Sequence, residues 1–155
     1  MRIAVITVSD RASRGVYADR SGPAIEEVLR GALPGAEVER EIVPDEAEAI
    51  LAALRRHPEA DWIVTTGGTG PSPRDVTPEA TRAHCDRGMP GIADWLRAES
   101  LRETPNAVFS RLWAGMRGAQ YVVNFPGSEK AARFCAGLLA PLMEHGVEMA
   151  AGGGH

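Results

Sequence analysis

The chain has 155 residues, of which 44% are hydrophobic and 25% charged, and its formal net charge is −4. This length and composition are typical of one globular domain, and we expect residues 1–150 to form it, followed by a flexible tail at 151–155. The acidic balance argues against nucleic-acid binding, which needs a basic face, and no apolar run is long enough to cross a membrane. Because no signal-peptide pattern and no CxxC motif are present, we expect a cytoplasmic protein without a disulfide framework or a zinc site.

The first part of the chain predicts two units of strand followed by helix. Residues 3–8 form an apolar, β-branched run typical of a buried strand, and a long polar loop is expected after it. Pro23 is predicted as the first residue of the next helix, because proline suits that position. A second strand at 38–43 leads to Asp45, which has a glutamate three positions later. That spacing predicts a capping box at the start of another helix.

The middle of the chain contains a short strand that leads directly into a glycine-rich loop. Residues 61–66 are predicted to form the strand, and three glycines follow between positions 67 and 70. Thr77 and Pro78 then have the residue types of an N-cap and a first helical position. The sequence therefore predicts the order strand, glycine-rich loop, helix.

The last part of the chain predicts two helices and one clear strand. A helical repeat of apolar residues covers 90–102, while 109–116 is compatible with either helix or strand. Residues 119–125 predict a buried strand, and Ser128 is expected to cap the C-terminal helix.

Alternation of strands and helices in a chain of this length predicts a three-layer α/β/α sandwich with a mostly parallel sheet. In such folds ligands bind at the carboxyl ends of the strands. Three of these ends carry unusual loops, at 9–10, 67–75 and 124–128. We expect the loops to converge on one site, where Ser9 and Asp10 could contact an anionic substrate; the alternative for these two residues is a solvated loop.

The glycine-rich loop is predicted to bind phosphate. Glycines let the backbone approach a ligand closely, and the following helix offers unpaired N–H groups to an anion. The pattern is neither a dinucleotide fingerprint nor a Walker A sequence, so a tight structural turn remains the alternative. Asp75 could hold a magnesium ion whose other ligands are substrate phosphates, or it could serve as a turn or capping residue.

Six motifs follow one another along the chain: TVSDRAS with DRSGP, VPDE, TTGGTGPSPRDVTPEAT, MPG, SR before AGMRG, and NFPGS. Together they resemble the MogA/MoaB family of molybdenum cofactor biosynthesis, from about Ile3 to the last helix. The string from the glycines to Thr81 is the most specific part of the resemblance.

The resemblance implies molybdopterin adenylyltransferase activity with ATP and Mg²⁺, in a fold that commonly assembles as a homotrimer. It implies catalytic carboxylates at Asp45 and Asp75, with Asp75 at the metal, and a nucleotide-binding or substrate-binding role for Gly67, Gly68, Thr69, Gly70, Pro126, Gly127 and Ser128. Hand-over of the product to a metal-insertion protein of the same pathway would follow. Two alternatives remain: a noncatalytic molybdopterin-binding protein of the MoaB type, and a nucleotide hydrolase of the related CinA type.

Lys130 is the only lysine in a chain that otherwise uses arginine. It is expected in the first turn of the last helix, where the helix dipole does not favour a cation. We therefore hypothesise that Lys130 contacts a substrate phosphate; chance is the alternative.

Overall fold

A computed structural model describes residues 1–153. Six strands form one sheet in the order β2-β1-β3-β6-β5-β4. The strands are β1 (Arg2–Val8), β2 (Glu37–Val43), β3 (Trp62–Thr66), β4 (Arg87–Gly88), β5 (Ala114–Arg117) and β6 (Gln120–Phe125). The neighbours β2, β1, β3 and β6 are parallel, whereas β5 is antiparallel to both β6 and β4. The predicted mostly parallel sheet is confirmed.

Six α-helices surround the sheet: α1 (Asp10–Ser13), α2 (Ser21–Ala32), α3 (Ala47–Arg56), α4 (Thr77–His84), α5 (Pro90–Glu103) and α6 (Glu129–Ala150). A 3-10 helix covers Pro105–Phe109. Within residues 1–153, no helix has the length and apolar character needed to cross a membrane. The segment 109–116, for which the sequence allowed either a helix or a strand, contains the end of the 3-10 helix and the first residues of β5. The predicted flexible tail at 151–155 extends beyond the described residues and stays a prediction.

Alternation along the strands divides the core between the two faces of the sheet. Ile3 and Val5 of β1 belong to one buried cluster with residues of α2, α5 and α6. Ala4 and Ile6 belong to a second cluster with Ile50 of α3 and residues of α4. Because adjacent side chains of a strand point to opposite faces, each central strand contributes to both clusters. The three-layer α/β/α sandwich predicted from the sequence is confirmed.

Two local predictions between β1 and α2 are wrong. The segment after β1 is not all loop, because α1 forms a helical turn in which the Ser9 hydroxyl accepts from the Ala12 N–H at 3.2 Å. Helix α2 begins at Ser21, two residues before Pro23. Proline is tolerated there because the first-turn N–H groups have no partner within the helix. The Asp19 carboxylate instead accepts from the Gly22 N–H at 3.0 Å.

The order of the strands determines where a ligand can bind. From β1 the chain passes to β2 on one side of it and then to β3 on the other. The connections therefore leave β1 and β3 in opposite directions along the sheet, which opens a crevice beyond their carboxyl ends. The loop after β1 and the glycine-rich loop after β3 both begin at this crevice.

Candidate active site

The ends of β1, β3 and β6 meet at Gly67. Its backbone N–H donates to the Phe125 carbonyl at 3.3 Å, and a Cβ at Gly67 would lie 2.3 Å from the Val8 carbonyl oxygen. A Cβ at Gly127 would lie 3.1 Å from the Cα of Gly67. Gly67 also has φ +100, which disfavours any other residue. Glycine is needed here for close packing of three strand ends, so the loops converge as the sequence predicts.

Thr77 fixes the shape of the glycine-rich loop. Its hydroxyl donates to the Gly67 carbonyl at 2.9 Å, and its backbone N–H donates to the Gly68 carbonyl at 3.1 Å. Thr77 is wholly buried and lies inside the first turn of α4, whose N-cap is Val76. The predicted N-cap role of Thr77 is therefore wrong, because its hydroxyl satisfies a carbonyl of the loop and not an N–H group of the helix.

Asp45 and Asp10 join the loops after β2 and β1. The Asp45 carboxylate accepts from the Asp10 N–H at 2.8 Å, and the Asp10 carboxylate accepts from the Asp45 N–H at 3.0 Å. The N-cap of α3 is Glu46, and it has no side-chain capping bond. The capping box predicted from Asp45 is therefore wrong. Its carboxylate instead lies beside the glycine-rich loop, where a Cβ on Gly68 would lie 3.4 Å from Oδ1.

Asp75 lies on the other side of the glycine-rich loop. Its carboxylate Oδ2 accepts from the Ser72 N–H at 2.9 Å, and a Cβ on Gly70 would lie 2.9 Å from the same oxygen. The adjacent Arg74 pairs with the Asp10 carboxylate. The two predicted catalytic carboxylates thus flank the loop, Asp45 beside Gly68 and Asp75 beside Gly70.

A cavity of about 770 Å³ opens over this loop. Its lining includes eight of the twelve residues predicted for the site, namely Gly68, Thr69, Gly70, Asp75, Pro126, Gly127, Ser128 and Lys130. A second cavity of about 490 Å³ adjoins it and is lined by Ser9, Gly67, Gly127 and Ser128 among others. Asp10 and Asp45 line neither cavity and connect the surrounding loops. The structure therefore groups the predicted residues at one edge of the sheet.

Lys130 extends from the first turn of α6 at the rim of the larger cavity. Ser128 caps this helix as predicted, accepting from the Ala131 N–H at 3.3 Å. The Lys130 ammonium is 3.5 Å from the Glu103 carboxylate, and its side chain is 84% exposed. An exposed ion pair of this kind contributes little to stability, so the ammonium is free to meet an anion in the cavity.

The carboxylates on the two sides of the loop fit a magnesium site only in part. Among residues 1–153, neither Asp45 Oδ1 nor Asp75 Oδ1 has a hydrogen-bond partner, so both oxygens are available to a cation. The same residues contain no cluster of three or more His, Cys, Asp or Glu side chains able to hold a metal. A magnesium ion at Asp75 would thus need phosphate oxygens and water as its remaining ligands.

From the sequence, Arg111 could contact an anionic substrate or be a solvated residue, and its bracing of the glycine-rich loop was not predicted. Its guanidinium donates to the Gly70 carbonyl at 2.8 Å and the Asp75 carbonyl at 2.6 Å, and it pairs with the Glu79 carboxylate. Hydrogen bonding to Arg111 lowers the pKa of Glu79 below its ordinary value. The dipeptide SR, which includes Arg111, was part of the family resemblance. Its contacts join residues 32 to 41 positions apart, so no local sequence pattern predicts them.

The family model described as "Probable molybdopterin binding domain" matches residues 4–145. A molybdopterin adenylyltransferase of Helicobacter pylori is 42% identical over 98% of this chain and 89% of its own length. The molybdopterin adenylyltransferase of Escherichia coli K12 is 43% identical over 84% of this chain and 69% of its own length.

A solved structure agrees with these sequence relatives. The molybdopterin biosynthesis enzyme MoaB from Thermus thermophilus superimposes with a TM-score of 0.88 and 43% identity, covering 97% of this chain and 96% of its own. Extended sequence similarity, the shared fold and the glycine-rich site at the strand ends agree, and the chain belongs to the MogA/MoaB family of molybdenum cofactor biosynthesis proteins.

Proposed function

We propose that the protein is a molybdopterin adenylyltransferase that transfers AMP from ATP to molybdopterin and releases pyrophosphate. The observation that carries the proposal is the cavity over the glycine-rich loop, which combines exposed backbone, a carboxylate and a helix N-terminus. The names of the two bacterial relatives support the same reaction. This chain covers 89% and 69% of the lengths of these two relatives.

The chemistry requires no nucleophile from the protein. An oxygen of the terminal phosphate of molybdopterin would attack the α-phosphorus of ATP, forming a new P–O bond while the bond to pyrophosphate breaks. The protein's role in such a transfer is to position the two anions and to stabilise developing charge. Backbone N–H groups of a loop can serve this purpose.

Two elements of the cavity suit phosphate groups. Gly68 and Gly70 present backbone without side chains, and the N-terminal turn of α6 reaches the lining at Ser128 and Ala131. This helix has 22 residues, and the unpaired N–H groups of its first turn favour an anion. Lys130 would add a mobile positive charge at the rim.

One wall of the same cavity suits an aromatic ring. Phe109, Leu112 and Phe134 line it together with Ala107. Flat apolar surfaces of this kind accommodate adenine or pterin rings, with polar groups at the edges fixing orientation. The cavity therefore offers complementary surfaces for both parts of a substrate that joins a ring to a phosphate.

Asp75 would hold magnesium through the carboxylate oxygen that does not bond Ser72. When bound, the ion would neutralise charge on the phosphates and on departing pyrophosphate. Asp45 would contribute negative charge from the other side of the glycine-rich loop and would keep the β1 loop in place through Asp10. We further propose a cytoplasmic homotrimer that passes its product to a metal-insertion protein of the same pathway.

The proposal is tested by incubating the purified protein with molybdopterin, ATP and Mg²⁺ and following products by mass spectrometry. Adenylylated molybdopterin in an amount exceeding the enzyme is expected, with pyrophosphate in equal amount. Saturable binding of molybdopterin without product would instead identify a noncatalytic binding protein. Cleavage of ATP that does not require the pterin would identify a nucleotide hydrolase.

A further inference from the structure

The side chain of Arg111 closes the segment between the glycines and Asp75 into a ring. Its Nε donates to the Gly70 carbonyl at 2.8 Å, and its Nη2 donates to the Asp75 carbonyl at 2.6 Å. One planar group thus holds both ends of a six-residue segment. The backbone N–H of Arg111 also donates to the Thr69 carbonyl at 2.8 Å, so the arginine is anchored beside the segment that it closes.

The charge of Arg111 is directed away from the Asp75 carboxylate. Its salt bridge is to Glu79 in the first turn of α4, whereas it contacts Asp75 only through the main-chain carbonyl. A direct ion pair with the Asp75 carboxylate would compete with a cation for the same oxygens. Glu79 therefore satisfies the guanidinium and leaves the Asp75 side chain free to point at the cavity.

A second arginine holds the segment from which Arg111 extends. Arg97 of α5 donates to the Ser110 carbonyl at 3.1 Å and to the Leu112 carbonyl at 2.9 Å. These two carbonyls belong to the residues on either side of Arg111. The contacts connect α5, residues 110–112 and the glycine-rich loop, so the position of Asp75 is linked to a helix of the core.

We propose that Arg111 is a positioning residue that fixes the loop 70–75 so that the Asp75 carboxylate is presented to the substrates. Its role in turnover rests on the proposed adenylyl transfer, whereas its hold on the loop does not. Lysine cannot replace it, because an ammonium is a point charge and cannot bond Gly70, Asp75 and Glu79 with one planar fork. Arg111→Lys therefore preserves the charge but releases the loop.

The test measures loop order and turnover on the same variants. Amide hydrogen exchange by NMR on the ligand-free protein follows the Ser72 and Asp75 N–H groups, which are bonded to Asp75 Oδ2 and to the Ser72 carbonyl, both at 2.9 Å. In Arg111→Lys we expect at least tenfold faster exchange of both amides. We also expect at least tenfold lower kcat, with KM for molybdopterin within twofold of wild type.

Arg133→Lys is the matched control. Arg133 pairs with Glu27 at 2.7 Å, and its side chain is 42% exposed, close to the 40% of Arg111. Within residues 1–153, Arg133 forms no hydrogen bond or ion pair with the glycine-rich loop. It should leave exchange and kcat unchanged.

Unchanged exchange in Arg111→Lys would overturn the proposal, and so would faster exchange with kcat within twofold of wild type. A wild-type protein that forms no adenylylated product would refute the proposed reaction and with it the catalytic part of this role. The exchange measurement would still decide whether Arg111 holds the loop.

Discussion

Replacing Asp45 separates the hydrogen-bond role that the structure shows from the catalytic role that we propose for its negative charge. The acceptor is Oδ2, which receives the Asp10 N–H at 2.8 Å. Asp45→Asn keeps an oxygen for this bond but removes the charge beside the glycine-rich loop. Asp45→Ala removes both.

The size of each effect follows from these contacts. Leaving the half-buried Asp10 N–H without a partner costs about 1 kcal/mol or more, so Asp45→Ala should melt several °C below wild type. Asp45→Asn should melt within about 2 °C of wild type. Loss of the charge should lower kcat at least tenfold in both variants, about 1.4 kcal/mol in activation free energy.

We would measure the melting temperature and the kcat of adenylyl transfer for the wild type, Asp45→Asn and Asp45→Ala. If Asp45 only braces the loops, Asp45→Asn will melt and turn over like wild type. That result would refute the catalytic role of Asp45 and leave it as a structural partner of Asp10.

Four further changes test other parts of the site and fold. Asp75→Asn should lower kcat at least about tenfold and raise the Mg²⁺ concentration needed for half-maximal rate, because it weakens a proposed metal ligand. Lys130→Arg should raise the KM of one substrate severalfold, since we propose that a compact ammonium fits beside the phosphate at this position and a larger planar guanidinium does not. Gly67→Ala should destabilise the fold by at least about 2 kcal/mol in urea unfolding, because of its positive φ and close contacts, whereas the exposed helical Gly137→Ala should be neutral or stabilising. Burial lowers the pKa of His84 from its ordinary value of 6.5, so its contribution to stability is fully present above that pH and is lost as pH falls through the lower folded value. His84→Gln should therefore flatten the loss of stability as pH falls below 6.5.

Specific results would contradict these expectations. An unchanged magnesium dependence in Asp75→Asn would remove that carboxylate from metal binding. Wild-type kinetics in both Lys130→Arg and Lys130→Ala would make the single lysine an accident of composition. Equal stability of the Gly67→Ala and Gly137→Ala variants would contradict the close packing of the strand ends, and an identical acid slope in His84→Gln would show that other groups account for it.

The fold could be predicted from the sequence because its signals are local and repeated. The β-branched run of β1 alternates between the two core clusters, and Pro90 and Ser128 mark helix starts that the structure confirms. The loops at the ends of β1, β3 and β6 were placed together because parallel strands align their carboxyl ends. The grouping of these three loops follows from topology, whereas Asp45, which follows β2, was predicted from the family resemblance.

The errors at Asp45 and Thr77 concern polar groups with more than one possible partner. Asp45 has capping-box spacing, but its carboxylate bonds the main chain of Asp10, 35 positions away. Thr77 has N-cap chemistry, but its hydroxyl donates to the Gly67 carbonyl, 10 positions before it in the chain. The spacing of residues in the sequence does not show whether a side-chain oxygen bonds a nearby helix N–H group or a distant partner, because either partner can satisfy that oxygen.

Transfer of AMP to molybdopterin can be followed with ATP labelled with ³²P at the α position. With molybdopterin and Mg²⁺ present, the label should move into the pterin over many turnovers. In a parallel reaction, label at the γ position should leave only as pyrophosphate. Retention of the α label in ATP, or its release as free AMP while molybdopterin remains unmodified, would show that the protein does not adenylylate the pterin.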